Sequence, residues 1–399
     1  MSIGPIDVAA AREATPSCEQ SAFLLSAGSS LPSNATLEAV LHHHRREAEI
    51  GGYAAAEEIV DTLRDARSDL AWLVGGLSHE VALATSDTAA WIKAWWGWVA
   101  GGNVPAGSTV LVDRLTYHSH FAALVATQPL VGFDIGLLPS LPDGTTDVDA
   151  VRLDDGVSAV CATMVGTHCG NVNPISELGA LAAGAGTPLF LDACQALGQL
   201  ELDVRELGCH VLTATGRKFL RAPRGTGMLW IDEGIVERFQ PPGIDGVSAD
   251  WSATGGLTVH PGMARFEEYE VGYAAMVGLA VAASEARQLG MAAIEQHVRG
   301  LADHLRDGLA EIDGVTVTDT ADRLSAIVTF LVDGVTPDDV VRVAGLHDVV
   351  INVSTSVWAA LDMDSKGMSQ VVRASPHYFN TREELDRLVA VVADLLRAS

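Results

Sequence analysis

The sequence predicts an α/β fold: a large domain with a mostly parallel, seven-stranded sheet, followed by a smaller α+β C-terminal domain. Two observations predict it. Between residues 21 and 230, short apolar runs alternate with amphipathic or alanine-rich stretches, a pattern typical of a sheet covered by helices on both faces. After a Gly- and Pro-rich stretch (240–262), two long helical patterns are followed by short strands. We therefore expect an N-terminal segment (1–30), a large domain (31–270) and a small domain (271–399).

The strands of the large domain are predicted from seven apolar runs: 81–84, 109–112, 131–138, 159–164, 188–192, 210–214 and 227–231. Between them, the stretches 88–99, 121–127 and 175–185 are candidate helices. In a parallel sheet, ligands bind at the carboxyl ends of the strands, where loops meet helix N-termini. Residues that directly follow these strands are therefore the first candidates for a functional site.

The small domain begins with two helical patterns, 274–289 and 293–312. Shorter elements follow: candidate strands at 315–318, 325–332, 349–353 and 371–374, a helix that starts at Pro337 and a closing helix that starts at Arg382.

Composition excludes several classes of partner. The chain has 51 acidic and 25 basic residues and a formal charge of -26, which disfavours binding to nucleic acid or to anionic membranes. No run approaches the roughly 20 apolar residues of a membrane span, and the N-terminus has no signal-peptide pattern, so we expect a cytoplasmic protein. The five cysteines show no CxxC spacing, and the adjacent histidines His42–His44 point in different directions on a helix. We expect neither disulfides nor a metal site.

Chemistry is indicated by an acid at the end of one buried strand, Asp192, and a lysine after the next strand, Lys218. Lys218 is one of only three lysines in the chain. This pair suits an aldehyde cofactor with a pyridine ring, in which the carboxylate keeps the ring nitrogen protonated and the lysine forms a Schiff base. Taken singly, Asp192 could cap a turn or helix and Lys218 could be a solvated surface charge.

Three motifs now carry a resemblance to a known family: Asp-Ala-Cys-Gln at 192–195, the segment around Lys218, and Val-Arg-Ala-Ser-Pro-His-Tyr-Phe-Asn at 372–380. With them, the chain resembles the class V aminotransferase group of fold-type I pyridoxal-phosphate enzymes. That group includes cysteine desulfurases, isopenicillin N epimerase, kynureninase and C–S lyases. The resemblance implies pyridoxal 5'-phosphate as cofactor, an amino acid as substrate, and a homodimer with its active sites at the subunit interface.

The resemblance also implies roles for individual residues. Lys218 would be the Schiff-base lysine and proton carrier, Asp192 the partner of the ring nitrogen, and Gln195 the partner of the phenolic oxygen. Tyr117 would stack on the cofactor ring and count with Lys218 and Asp192 as catalytic, with His118 as the alternative stacking residue. The phosphate would be bound by Asp87 (through its backbone), Thr88, Thr215 and Arg217, the last standing where the family usually has histidine. The loop at 85–88 could also be an ordinary helix cap.

Substrate binding is assigned to three residues by the same resemblance. Arg373 would hold the α-carboxylate, although an arginine after a strand is otherwise often a surface ion pair. Thr167 replaces the usual asparagine near the cofactor, and His168 could reach the substrate, act as an acid or base, or simply be a buried histidine.

Two departures from the family pattern narrow the reaction. The stretch 352–367, where cysteine desulfurases carry a nucleophilic cysteine, contains none, and Glu270 replaces the threonine that often reaches the partner subunit's phosphate. The segment around Glu270 resembles that of the ergothioneine-pathway C–S lyases more closely. We therefore expect C–S cleavage by β-elimination of an S-substituted cysteine. The alternatives are an aminotransferase, a decarboxylation-coupled deaminase, an isopenicillin N epimerase-like epimerase, or a non-catalytic scaffold that binds a partner.

Overall fold

The computed structural model describes residues 5–15, 17–241 and 243–398. Its helices are α1 Val8–Glu13, α2 Ser26–Ser29, α3 Asn34–Ile50, α4 Gly52–Glu58, α5 Val60–Leu73, α6 Asp87–Ala100, α7 His118–Val131, α8 Ile175–Ala185, α9 Val204–Leu207, α10 Tyr273–Leu289, α11 Met291–Ala310, α12 Pro337–Leu346, α13 Ala360–Met363 and α14 Arg382–Ala398. Its strands are β1 Ala22–Phe23, β2 Val81–Ala84, β3 Thr109–Val112, β4 Asp134–Leu137, β5 Val157–Thr163, β6 Leu189–Asp192, β7 Val211–Thr215, β8 Gly227–Ile231, β9 Ala249–Ser252, β10 Gly256–Val259, β11 Val315–Val317, β12 Val328–Val332, β13 Val349–Val350, β14 Asn352–Thr355 and β15 Gln370–Ala374.

Seven strands form the central sheet, in the order β2-β8-β7-β6-β5-β3-β4. Strand β8 is antiparallel to both of its neighbours, and every other pair in the sheet is parallel. The predicted α/β class with a mostly parallel, seven-stranded sheet is thus confirmed. Strands β6 and β7 are buried at every position, as expected for central strands covered on both faces.

Alternate residues of β6 belong to two different hydrophobic clusters. Leu189 and Leu191 pack into one cluster, and Phe190 packs into the other, so each face of the sheet has its own core. The first cluster continues to Phe330 and Val372 of a second sheet. The two sheets therefore share one hydrophobic cluster. The predicted domain boundary near residue 270 stays a prediction.

The second sheet has four antiparallel strands, in the order β11-β12-β15-β14. The short strand β1 pairs in parallel with β13, with Ala22 opposite Val349. This pairing brings the segment after β1, which includes Ala27 and Gly28, beside the C-terminal strands. The sequence pattern did not predict that contact, because a two-residue strand carries no periodicity.

Two local differences from the sequence-based expectation have simple causes. The predicted strand 131–138 is shorter, because α7 continues to Val131 and ends at Gly132 in the left-handed conformation, with φ of 86°. The Gly- and Pro-rich stretch contains a hairpin, β9 with β10, whose turn ends at Gly256 with φ of 76°. No described helix is long and apolar enough to cross a membrane.

Helix α6 carries a stripe of three tryptophans, Trp91, Trp95 and Trp98. All three are buried, and each packs its ring against Phe190 of β6. The stripe therefore belongs to the core. It holds α6 on the sheet and so places the helix N-terminus at the edge where the strands end.

Candidate active site

The carboxyl ends of β5, β6 and β7 and the N-terminus of α6 enclose one cavity. Of the predicted site residues, nine line it: Asp87, Thr88, Tyr117, Thr167, Asp192, Gln195, Thr215, Arg217 and Lys218. Arg373 lines an adjoining cavity that shares Tyr117, Thr167, Arg217 and Lys218 with the first. The residues chosen from strand ends are thus brought together, although their roles stay predictions.

Lys218 follows β7 and is 7% exposed. Burial lowers the pKa of its amine, although nearby Cys194 and Asp192 oppose that shift. Its Nζ lies 5.9 Å from the centroid of the Tyr117 ring, and it has neither a hydrogen bond nor an ion pair with any residue that the structure describes. A buried amine without a polar partner fits a lysine that binds a cofactor aldehyde.

Asp192 ends β6, and its carboxylate is held by two neighbours. The backbone N–H of Cys194 donates to Oδ1 at 2.8 Å, and His120 Nδ1 lies 3.3 Å from Oδ2. The His120 contact is an ion-pair approach rather than an aligned hydrogen bond. A fixed, buried carboxylate at a strand end suits a pyridine nitrogen as its partner.

His120 is the site residue that the sequence reasoning missed. It is 1% exposed, stacks on Trp91 at 4.1 Å with a 12° angle between the rings, and its Nε2 lies 2.7 Å from Asp87 Oδ2. Burial alone would lower its pKa, but Asp87 and Asp192 outweigh that effect and raise the pKa to about 10. The only signal in the sequence was its place in the motif Thr-Tyr-His-Ser-His, where Tyr117 and His118 drew attention instead.

The side chain of Asp87 is therefore engaged with His120, whereas the sequence assigned only its backbone to the phosphate. Burial raises the pKa of Asp87, but His120 outweighs it and lowers the pKa to about 2. Asp87, His120 and Asp192 lie close enough to be considered as metal ligands, yet direct contacts of 2.7 and 3.3 Å already join them. The arrangement is a buried chain of alternating charges.

The predicted phosphate-binding end of the cavity is the start of α6. Ser86 caps this helix by accepting a hydrogen bond from the N–H of Ala89 at 3.1 Å, and Thr88 lies in the first turn. A helix N-terminus offers unpaired N–H groups to an anion. A Cβ atom at Gly227 would lie 2.7 Å from the backbone carbon of Ser86, so β8 can approach this loop only with glycine.

Gln195 and Thr167 connect the two cavities. Gln195 donates from Nε2 to the carbonyl of Ala27 at 3.1 Å and to Thr167 Oγ1 at 3.3 Å, while its other amide atom is buried without a partner among the described residues. A buried, unpartnered amide oxygen that faces a cavity can accept a hydrogen bond from a ligand hydroxyl. Together with unpaired Lys218 and the start of α6, it shows that the residues present fit pyridoxal phosphate.

Two arginines face the cavities without a carboxylate partner among the described residues. Arg217 donates to the Gly28 carbonyl, and Arg373 donates from Nε to Asn352 Oδ1 at 3.2 Å and from Nη1 to Thr167 Oγ1 at 3.1 Å. Burial, followed by repulsion from Arg217, lowers the pKa of Arg373 to about 10. Uncompensated guanidinium groups in a chain of charge -26 indicate anionic ligands.

His168 and Glu270 are not brought into these cavities. The His168 side chain is fully buried, with Nε2 2.7 Å from Asp362 Oδ2, which favours the buried-histidine alternative. Glu270 is exposed and lies in a separate surface cavity of about 720 Å³, between α4 and the start of α10.

Comparisons with known proteins show the family of the chain. The Aminotransferase class-V family profile matches residues 22–388. A probable hercynylcysteine sulfoxide lyase of Mycobacterium tuberculosis is 32% identical over 368 residues, covering 90% of this chain and 87% of the relative. A probable cysteine desulfurase of Xylella fastidiosa is 29% identical over 339 residues, covering 84% and 80%.

Among solved structures, the apo cysteine desulfurase of Thermococcus onnurineus superposes with a TM-score of 0.91 at 22% identity and covers all of both chains. The cystine C-S lyase C-DES, in complex with its product cysteine persulfide, gives 0.84 at 20% identity and covers 95% of this chain and 99% of that one. At these identities the likeness shows the fold alone. The family match over nearly the whole chain shows more: this chain belongs to the class V aminotransferase family and is a pyridoxal-phosphate-dependent enzyme.

Proposed function

We propose that the enzyme cleaves the C–S bond of an S-substituted cysteine by β-elimination. The observation that carries the proposal is that the described residues of the two cavities offer no available cysteine nucleophile. The stretch 352–367 has no cysteine, and Cys194 is the only cysteine among the cavity-lining residues that the structure describes. Burial raises the pKa of the Cys194 thiol well above its ordinary value, so it stays protonated. Without a thiolate to accept sulfur, the sulfur leaves with its substituent.

The charged groups around the cavities match the steps that elimination needs. Arg373 binds the α-carboxylate, and Lys218, whose pKa is lowered by burial, takes the α-proton at Nζ. Asp192, which lies 3.3 Å from His120, is the proposed partner of the cofactor's ring nitrogen. Pyridoxal phosphate supplies the electron sink for bond breaking at the α-carbon.

The overall reaction balances without an oxidant or reductant. One S-substituted cysteine and one water yield a thiol, pyruvate and ammonia, and the proton removed at the α-carbon is accounted for in these products. The relative of Mycobacterium tuberculosis, named as a sulfoxide lyase, supports this reaction class.

The test is product analysis of the purified enzyme with S-alkyl and S-aryl cysteines. Pyruvate, ammonia and thiol should form in equal amounts, and Lys218→Ala should remove both the products and the visible absorption band of the lysine-bound cofactor. Lys93→Ala is the control, because Lys93 lies outside both cavities and pairs with Glu268 at 3.0 Å. Amino transfer to a keto acid without pyruvate, or racemised substrate, would refute elimination in favour of a transaminase or an epimerase.

We infer further that the enzyme is a homodimer, as the family resemblance implies. Exposed Tyr53 and Tyr269 line the 720 Å³ surface cavity beside Glu270, and exposed aromatic surface of this kind suits an interface. Light scattering of the holoenzyme should give twice the mass of the chain. A fully active monomer would contradict the inference.

A further inference from the structure

Trp358 is a large aromatic side chain that faces the cavity holding Arg373. It ends the short turn Ser356–Trp358 after β14 and remains 45% exposed. Apart from Tyr117, the other side chains that line this cavity in the described structure are smaller or polar, among them Val353 and Ser354. A half-exposed indole at the mouth of a polar cavity offers an apolar face that a ligand can cover.

The plane of the Trp358 ring is set by its neighbours. It lies nearly parallel to the Tyr117 ring, with 5.9 Å between centroids and 10° between planes. The His118 ring meets it edge-on at 6.1 Å and 85°. Both neighbours belong to the start of α7, so the indole is oriented by the same element that carries the predicted stacking residue.

The segment that follows Trp358 is anchored. Asp362 of α13 accepts hydrogen bonds at Oδ2 from His168 Nε2 at 2.7 Å and from Lys366 Nζ at 2.8 Å, and Lys366 also donates to the Asp143 carbonyl at 2.8 Å. The side chains of His168 and Asp362 are both fully buried. A buried pair of charges resists separation, so the backbone four residues beyond Trp358 is tied to the loops after β4 and β5.

We propose that Trp358 is a preset aromatic wall that selects substrates with a flat aromatic or heteroaromatic ring on the sulfur. The proposal rests on the proposed function, because it concerns the side chain of that substrate. An amino acid with its carboxylate on Arg373 and its α-carbon at Lys218 occupies the polar part of the cavity. Its substituent then meets Trp358, whose face stacks on a flat ring better than on a saturated one.

The test compares two probes that share the same backbone, differ only in whether the six-membered ring is aromatic and flat or saturated, and cannot undergo elimination. These are 2-amino-5-phenylpentanoate and 2-amino-5-cyclohexylpentanoate, in which a methylene replaces sulfur. Calorimetry with the holoenzyme should show about threefold to tenfold tighter binding of the phenyl probe, the range that aromatic pairing supplies. If burial of apolar surface alone decided the affinity, the more apolar cyclohexyl probe would bind more tightly than the phenyl probe.

Trp358→Ala should bring the ratio of the two affinities close to one, and Trp358→Phe should keep most of it. Trp72→Ala should leave the ratio unchanged, because Trp72 is a 44% exposed tryptophan on α5 that lines neither cavity. A ratio near one in the wild-type enzyme, or a ratio that survives in Trp358→Ala, would overturn the proposal. A wild-type ratio near one overturns the proposal even if a variant fails to fold, and Trp358→Phe provides a second, more conservative variant.

The two proposals fail separately. Incubation with S-benzylcysteine tests C–S cleavage by the appearance of pyruvate and phenylmethanethiol. If pyruvate is absent while the phenyl preference remains, elimination is wrong and the aromatic wall stands. If pyruvate forms and the phenyl probe binds no more tightly than the cyclohexyl probe, elimination is supported and the aromatic wall at Trp358 is wrong.

Discussion

The buried contact between His120 and its two carboxylates makes a sharp prediction for His120→Phe. Phenylalanine keeps a ring against Trp91, where the present stack has 4.1 Å between centroids, but it removes both nitrogen contacts. Raising the pKa of a histidine from 6.5 to about 10 corresponds to roughly 5 kcal/mol of interaction. Breaking a buried ion pair costs about 3–5 kcal/mol in general. We therefore expect His120→Phe to lower the free energy of unfolding by about 4 kcal/mol.

The assay is urea unfolding of the purified enzyme, followed by far-ultraviolet circular dichroism. For a chain of this length, about 4 kcal/mol also corresponds to roughly 5 °C in melting temperature. His304→Phe is the matched control, because His304 Nε2 lies at the same 2.7 Å from Asp386 but the pair is partly exposed. Such a surface pair contributes less than about 1 kcal/mol.

The effect of His120→Phe should also depend on pH. The folded-state pKa of His120 is raised, so its stabilisation is fully present below pH 6.5 and is lost as pH rises through about 10. Asp87 has a lowered pKa, so its share is present above about pH 3.8 and is lost toward pH 2. The difference between wild type and variant should be largest between these limits, near pH 4–6.5. A difference no larger than that of His304→Phe, or one that grows toward pH 10, would refute the reasoning.

Three further predictions follow from other contacts. Arg373→Lys should raise the KM for the amino acid about tenfold or more, with a smaller change in kcat, because lysine cannot hold a carboxylate bidentately; steady-state kinetics with unchanged KM would contradict it. His168→Asn should lower the free energy of unfolding by roughly 3 kcal/mol at pH 6, as measured by urea unfolding. Cys169 and Asp362 outweigh burial and raise the pKa of His168 to about 9, so the loss should shrink as pH rises through 9. Gly170→Ala would place a Cβ 2.1 Å from the carbonyl oxygen of Ile327, so the melting temperature should fall clearly, and an unchanged one would show that this loop yields easily.

Much of the large sheet could be predicted because its strands are buried on both faces. The runs at 189–192 and 211–215 are buried at every position and mostly apolar, and their boundaries differ from prediction by only one residue. Asp192 and Lys218 could be predicted for the same reason, because Asp192 ends one of these runs and Lys218 lies three residues after the other. Where periodicity is absent, as in the two-residue strand β1 or the hairpin β9–β10, the sequence offered no prediction.

The partners of the charged residues could not be predicted. Asp87 and His120 are 33 residues apart, and they meet because α6 and α7 pack side by side on the sheet. His168 and Asp362 are 194 residues apart and belong to different sheets' loops. For His168, the sequence left a substrate role and a buried role equally open, and only the contact with Asp362 favours the second.

The sequence by itself determined the fold class, the cofactor family and the place where the chemistry starts, since strand ends and motif spacing are local properties of the chain. The division into domains and the dimer stay predictions. The tertiary structure decided which side chains face each other: His120 lies between two carboxylates, Arg373 has no carboxylate partner among the described residues, and Trp358 lies beside Tyr117. The physical reason is that pKa values and ring contacts depend on distances of a few ångströms across space, whereas sequence separation does not constrain those distances.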